Sequence, residues 1–521
     1  MIKQSRLNRS EGWAFGEFGE AKFGDTRLTT RLIKLADDLA ELPESSINQA
    51  SGSWAEAKAA YRFFQNDSIL ESEILSAHVA KTVERASHYE TILSIQDTTY
   101  ISYKKHSKTT GLGIIASRIR SQTTNFKTPG LVMHTAFAIT TEGLPIGLLD
   151  QKIHSRPPIP EEKKELKKKS HGIALAIQDK ESIRWLDSLK KSKDALGLTN
   201  VQLVTVCDRE GDIYDFFEFS EQLNSPVLVR ARQDRKVNKP SRCSKKSQDT
   251  LWGCIKKLPI QGSTQVDIPA RDNKPARIAK LDIQFGSFTM NPPRNNIRHR
   301  TEELPNLKLQ AVYALEKNPP PGDSPLEWML LTNLPVENFK DALEKVHWYC
   351  LRWRIEVFHK ILKSGLHVEE CRLGTAQRLM RYLTVMSVIA WRIFFITLLA
   401  RTNPDFPCTV LLAEEEWKTL YSKIHQTRSY PETPPTIKSV IKWIAQLGGF
   451  LARKGDGDPG PITLWRGWKR LVDLSEGWNL ARLSNLWVIV RFLEEPYSVM
   501  GGTYKVSFYG LDYFWLLQLS I

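Results

Sequence analysis

Residues 201–217 read VQLVTVCDREGDIYDFF. Six residues of mostly β-branched and apolar character lead to Asp208, the turn-forming run DREGD follows, and an aromatic stretch of helical character comes next. This is a strand that stops on a carboxylate and turns into a helix, the unit from which α/β sheets are assembled. Residues 91–100, TILSIQDTTY, give a second short apolar strand with Asp97 at its end. Carboxylates at strand ends converge on one edge of an open sheet, where such folds bind their ligands.

The pattern continues outward from these two strands. Residues 131–153, LVMHTAFAITTEGLPIGLLDQKI, predict two strands joined by the turn TTEG. The charged run EEKKELKKK (161–169) reads as a loop or helix start, and ESIRWLDSLKKSK (181–193) as a helix. From about 226 to 336 the chain is β-rich and laden with Pro, Lys and Arg. LVRARQDRK, LKLQAVYAL and EWMLLTNLPV are strand-like runs between turns. This region reads as an insertion before the last helix of a core. Helices resume with 341–365 and 379–400. The expected domains are a helical unit over 1–70, a catalytic core over 71–400 with 226–336 inserted, and a helical C-terminal unit over 401–521.

In the N-terminal unit Asp25 is placed to cap a helix whose Leu28, Leu32, Leu35 and Leu39 share one stripe, while Arg27, Arg31 and Lys34 share another. A second helix starts at Ser53, with Glu56 completing a capping box, and carries Lys58 and Arg62. The basic faces suit either DNA contact or simple solvation. In the C-terminal unit, helical stretches are expected at 411–426, 437–448 and 464–493. Ile437, Val440, Ile441 and Ile444 form an apolar stripe that closes either a two-fold interface or the chain's own core.

Lys and Arg number 73 against 58 acidic residues, a net charge of +15, which favours a polyanionic partner. Six cysteines, none at zinc-site spacing, fit a reducing, cytoplasmic setting. The N-terminus has no signal-like apolar run. The most apolar stretch, 383–400, carries Arg392 in its middle, so a buried helix is expected and no membrane partner.

The third acidic position is Glu356. At about 100° per residue, Tyr349, Arg352, Glu356, Lys360 and Lys363 fall within an arc of about 80° of one helix. Leu351, Ile355, Phe358 and Leu362 fall opposite. One face is thus core, and the other presents one carboxylate among cations and a phenol. Three convergent carboxylates repel one another and call for hard cations such as Mg²⁺. Two such ions about 4 Å apart serve phosphoryl transfer, and the lysines and arginines suit DNA phosphates.

With these residues in view, the chain resembles the DDE transposases of bacterial insertion sequences, in the insertion-sequence-four family. Tyr349, Arg352, Glu356 and Lys363 match that family's Y-(2)-R-(3)-E-(6)-K pattern without a gap. Asp97 in QDTT and Asp208 in CDRE match its other acidic motifs. GDTRLTTRL and AAYRFFQN resemble its DNA-binding segment, and AQLGGF and LWRGWKRL its C-terminal helices. The resemblance implies an RNase H-like mixed-sheet α/β core with an inserted β-rich region between helical N- and C-terminal domains. It also implies two Mg²⁺ ions (Mn²⁺ as a substitute) on Asp97, Asp208 and Glu356. The expected partners are double-stranded transposon ends and target DNA, bound by a homodimer in a bacterial cytoplasm. The expected reaction is cut-and-paste movement through a DNA hairpin. Trp328 matches a tryptophan that stacks where a base has flipped out, although a core tryptophan on a strand accounts for it equally well. Arg230 and Arg232 match basic residues beside the transposon end, or form a solvated strand face. Two other functions are open: a metal-dependent nuclease of the same fold without strand transfer, and an inactive end-binding inhibitor. Beyond about Leu486 the aromatic tail resembles nothing in the family.

Overall fold

A computed structural model describes residues 13–121, 124–157, 176–197, 199–237, 250–268, 275–293, 296–494, 498–499 and 502–503. The charged run 161–169 and most of the tail after Leu486 fall outside the described residues or side chains. The N-terminal unit holds α1 (Trp13–Phe18), α2 (Thr26–Glu41), α3 (Ile47–Ala50) and α4 (Trp54–Gln65). Helix α5 (Glu71–Ala86) then leads into the sheet. Asp25 caps α2 by accepting from Arg27 N–H at 2.9 Å. Leu32, Leu35 and Leu39 are buried as their stripe requires. Ser53 caps α4, but Glu56 does not complete the expected box: its carboxylate lies 3.3 Å from Lys34 on α2 instead.

One ten-stranded sheet runs through the middle of the molecule. Its strands are β1 (Thr91–Ser102), β2 (Gly113–Ser121), β3 (Thr124–Thr140), β4 (Pro145–His154), β5 (Gln202–Cys207), β6 (Val227–Arg230), β7 (Gly262–Ile268), β8 (Arg277–Met290), β9 (Leu307–Glu316) and β10 (Glu327–Thr332). The order is β2-β3-β1-β5-β6-β10-β9-β8-β7, with β4 also on β3. Strands β1, β5 and β6 are parallel neighbours and the other pairings are antiparallel. This is a mixed α/β sheet flanked by helices at both ends of the chain, consistent with an RNase H-like core. The β-rich region is not a separate module. Strand β10 pairs with β6, so the inserted strands prolong the same sheet. Strand β1 is also longer than expected. Its pairing with β3 continues to Ser102↔Gly130, which leaves Asp97 inside the strand rather than at its end.

Helices α6 (Ile183–Leu196) and α7 (Tyr214–Gln222) follow β4 and β5, and the short α8 (Leu251–Ile255) lies in the insertion. Helix α9 (Phe339–Leu351), α10 (Trp353–Lys360) and a π-turn over Ile361–Gly365 replace the single helix expected at 341–365. Helix α11 (Ala376–Thr402) is the long apolar one, and almost its whole apolar window is buried inside the molecule. Its Arg392 lies 4.7 Å from the ring centre of Trp13. Its Arg381, 2% exposed, donates to the carbonyls of Ile69 at 2.7 Å and Phe64 at 2.8 Å, binding the N-terminal helices to the core. The C-terminal helices are α12 (Glu414–His425), α13 (Ile437–Leu447) and α14 (Pro461–Glu494). Ile437, Val440, Ile441 and Ile444 are buried among these helices, as are Trp465 and Trp468. That stripe therefore closes the chain's own core and is not the surface through which a second copy binds.

Candidate active site and nucleic-acid interface

Strand register builds the site. The last parallel pair between β1 and β5 is Gln96↔Cys207, so Asp97 and Asp208 are the next residues on neighbouring strands. The last pair between β5 and β6 is Cys207↔Val229, which puts Arg230 next in the same row. Two carboxylates and a guanidinium thus stand side by side at one end of three parallel strands, the position where open α/β sheets place their ligands. The chain must turn tightly after Asp208. Gly211 permits this, since a Cβ there would lie 2.6 Å from Cys207 Cβ.

Helix α10 supplies the third carboxylate. Ile355 and Phe358 are buried, and Phe358 stacks on Phe137 of β3 at 4.8 Å. That anchoring leaves Glu356 partly exposed on another face. The break at Arg352 arises because its N–H takes the Tyr349 carbonyl and its carbonyl receives Ile355 N–H, a tighter spacing than an α-helix. The π-turn adds a second shift, closed by Leu366 N–H donating to the Ile361 carbonyl at 2.8 Å. The five residues expected in one arc therefore do not share one regular helix face. Tyr349 is 5% exposed, with its ring 5.2 Å from that of Trp328, whereas Lys360 faces solvent.

The electrostatics knit these groups together. Burial pushes the Asp97 carboxyl up to about 7; the charges of Asp208 and Glu356 add to the rise, and Arg352 and the Thr98 N–H oppose it. Arg352 donates to Glu356 at 2.5 Å. The Tyr349 hydroxyl is raised by burial, with Arg352 and Arg230 acting against it. Lys363 is lowered by burial and faces the charges of Glu369 and Asp97. Arg230 also donates to the Glu327 carbonyl at 3.0 Å.

Asp97, Asp208, Glu356, Tyr349, Arg352, Lys363, Arg230 and Trp328 are thus brought into one neighbourhood. Arg232 is exposed beyond β6, its N–H donating to Asp212 at 2.7 Å. Arg27, Arg31 and Arg62 belong to α2 and α4 of the N-terminal unit, which packs on α11. Arg27 and Arg62 are exposed there. Trp328 is 8% exposed on β10, a core position.

Four residues were not singled out from the sequence. Thr98 N–H donates to Asp97 at 2.8 Å, and Glu210 N–H donates to Asp208 at 2.8 Å. Arg184 of α6 touches both of these neighbours. His359 places Nδ1 3.8 Å from an Asp97 oxygen, while its buried Nε2 has no hydrogen-bond partner among the described residues. Burial, with Lys363 and Arg352 nearby, pushes that imidazole down to about 3, so it is neutral. Thr98 (in the QDTT motif), Glu210 (in the CDRE motif) and His359 (three residues after Glu356) had a local signal, and Arg184 had none.

Two family models match the chain. Residues 10–69 match one described as transposase DNA-binding, and residues 388–485 match one described as transposase Tn5 dimerisation domain. The first spans α1 to α4, and the second runs from within α11 into α14. Together the two matches support a Tn5-like transposase that binds DNA and forms dimers.

Proposed function

We propose that the protein is a DDE transposase of the insertion-sequence-four type, which cleaves the ends of its element and joins them to target DNA with Asp97, Asp208 and Glu356. The observation that supports this most is the register that sets Asp97 beside Asp208 under the helix bearing Glu356. The donor set fits Mg²⁺ chemically: three carboxylates offer hard oxygen donors at one end of the sheet, and the charges of Asp208 and Glu356 add to the burial that raises Asp97. Among the described residues no three His, Cys, Asp or Glu side chains are grouped closely enough to hold a metal as they stand. Arg352 holds Glu356, and Asp208 caps its own turn. To join the other two, Glu356 has to turn away from Arg352.

Divalent ions bound there would activate a water or a 3′-hydroxyl and stabilise the leaving oxygen. The chain's own part is to hold and orient. The exposed basic residues of α2 and α4 take the phosphates of the element end. Arg352, released from Glu356, is free to fork onto a phosphate, and Arg230 with Tyr349 lines the approach along the strand ends. A hairpin step follows naturally, because a strand nicked in this site leaves its 3′-hydroxyl next to the opposite phosphodiester. The test is a duplex carrying the element end, incubated with the protein and Mg²⁺. Nicking, hairpin formation and strand transfer are expected, each abolished by Asp97→Ala, Asp208→Ala or Glu356→Ala while end binding persists. Cleavage without joining of pre-cut ends would instead identify a nuclease, and intact cleavage in any of the three variants would refute the assignment.

A further inference from the structure

Arg184 sits at the start of α6, 7% exposed, on the face of the helix against the sheet. Its guanidinium reaches strand β1 and the turn after β5. Nε donates to Thr98 Oγ1 at 3.0 Å, and Nη2 donates to Glu210 Oε2 at 3.0 Å. Nη1 donates to the Glu181 carbonyl at 3.2 Å, which ties the fork to the turn just before its helix. Thr98 Oγ1 also meets Nδ1 of the buried His134 at 2.9 Å, so the hydroxyl is held from both sides.

Thr98 and Glu210 are also the residues whose backbone N–H groups grip the proposed metal carboxylates. Thr98 N–H donates to Asp97 Oδ1, and Glu210 N–H donates to Asp208 Oδ1, each at 2.8 Å. A rigid planar fork therefore spans the supports of two carboxylates that repel each other. We propose that Arg184 is a positioning residue, a strut that sets the separation of Asp97 and Asp208 for divalent-cation binding. This rests on the carboxylate assignment above. The physical case is that groups hydrogen-bonded behind metal ligands fix ligand orientation, and that guanidinium geometry cannot be reproduced by a point charge.

The experiment uses the full chain. Mn²⁺ binding is measured directly by titration, cleavage of an end duplex is followed against Mg²⁺ concentration, and end binding and Tm are recorded alongside. Arg184→Ala should weaken Mn²⁺ binding and raise the half-saturating Mg²⁺ by about tenfold or more, the usual cost of losing such a support. The rate at saturating Mg²⁺ and the affinity for the end duplex should change much less. Arg184→Lys should restore little, because it cannot bridge both partners. Should Arg184→Ala fold poorly, Glu210→Ala, at an exposed side chain, carries the test alone with the same shift in metal demand. In the double variant the two effects should be less than additive, since they remove the same bridge. Unchanged Mn²⁺ affinity in both single variants would overturn the proposal, as would full rescue by lysine. Asp97→Ala separates the two levels: if it leaves Mn²⁺ binding intact, the carboxylate assignment itself fails. If it abolishes binding while the Arg184 and Glu210 variants bind normally, only the strut fails.

Discussion

Arg352 Nη2 lies 2.5 Å from Glu356 Oε1 across the break between α9 and α10. The same guanidinium is 5.9 Å from the Tyr349 ring centre and holds the Asp97 carboxyl down against burial. One cation therefore serves three anionic or phenolic groups.

From this follows a prediction about Arg352. Its removal takes the bound counter-charge from Glu356 and leaves Lys363 as a cation facing Asp97, so Arg352→Ala should slow nicking by about tenfold or more, equivalent to about 1.4 kcal/mol on the barrier. Arg352→Lys keeps the charge but loses the fork, and should recover only a small part. Nicking rates on the end duplex at fixed Mg²⁺ decide it; full activity in the lysine variant would show that charge alone is needed.

Trp328 has a different expectation. Its ring on β10 is buried against Tyr349 of α9, two residues along the strand from Leu330, the partner of Arg230 on β6. Trp328→Ala should cost about 3–5 kcal/mol of stability, as large aromatic deletions in cores do. It should depress the first nick and the hairpin step together. A hairpin defect with normal nicking and normal Tm would instead mean that the ring leaves the core to fill the place of a flipped base.

The reach of the sequence can be judged from these same residues. Asp208 and Glu356 were legible through turn residues and helical spacing; Asp97 was legible as a strand end within QDTT, although it lies inside β1. What placed them together was not. The Gln96↔Cys207 register is a long-range pairing, and no local pattern encodes which strands become neighbours. The break at Arg352 and the π-turn at Ile361–Gly365 were invisible, since the apolar spacing carries on through both. The stripe at Ile437–Ile444 was equally good for a dimer or a core, and only its burial decides. Arg184 read as one more helical residue because its partners lie 86 and 26 residues away.

The N-terminal helices are fastened to the core by a network that responds to pH. His78 Nδ1 is 2.5 Å from Glu17 Oε1, and its Nε2 accepts from Leu148 N–H at 2.9 Å, so Nδ1 carries the proton of a neutral ring. Arg85 donates to both oxygens of Glu17. Burial acts to raise Glu17, but Arg85 and His78 outweigh it and bring the carboxyl down to about 2. Burial lowers the His78 imidazole. Both folded values are depressed, so each group's contribution is complete above its unfolded pKa and is lost as pH falls below it. Stability should decline below about pH 6.5 through His78, and further between about 4.5 and 2 through Glu17. Denaturation curves across this range should show a shallower decline below pH 4.5 for Glu17→Gln, from a lower starting stability. An unchanged slope would mean that other carboxylates control acid unfolding.

The last prediction concerns the face of α4 that the fold leaves open. Trp54 is 74% exposed at the first position of this helix, just after the Ser53 cap. Lys58 and Arg62 follow at four-residue intervals and are also exposed, so the three share one side. Ala57, Ala60, Phe63 and Phe64 are buried on the other. A large apolar ring rarely stays in water beside two cations without a partner, and the match of residues 10–69 to a DNA-binding model supplies one. The two kinds of residue should fail differently. Each of Lys58→Ala and Arg62→Ala should lower the slope of log affinity against log salt by about 0.9, one phosphate contact's worth. Trp54→Ala should leave that slope alone and weaken end binding by about tenfold, because burying an apolar side chain of this size contributes about 1.5–3 kcal/mol independent of salt. The measurement is end-duplex binding at several salt concentrations with Asp97, Asp208 and Glu356 intact. If Trp54→Ala binds normally while the two cation variants change the slope, the phosphates run past this helix without touching the ring. If none of the three changes anything, the DNA is held by another face, with Arg27 and Arg31 of α2 the next residues to replace.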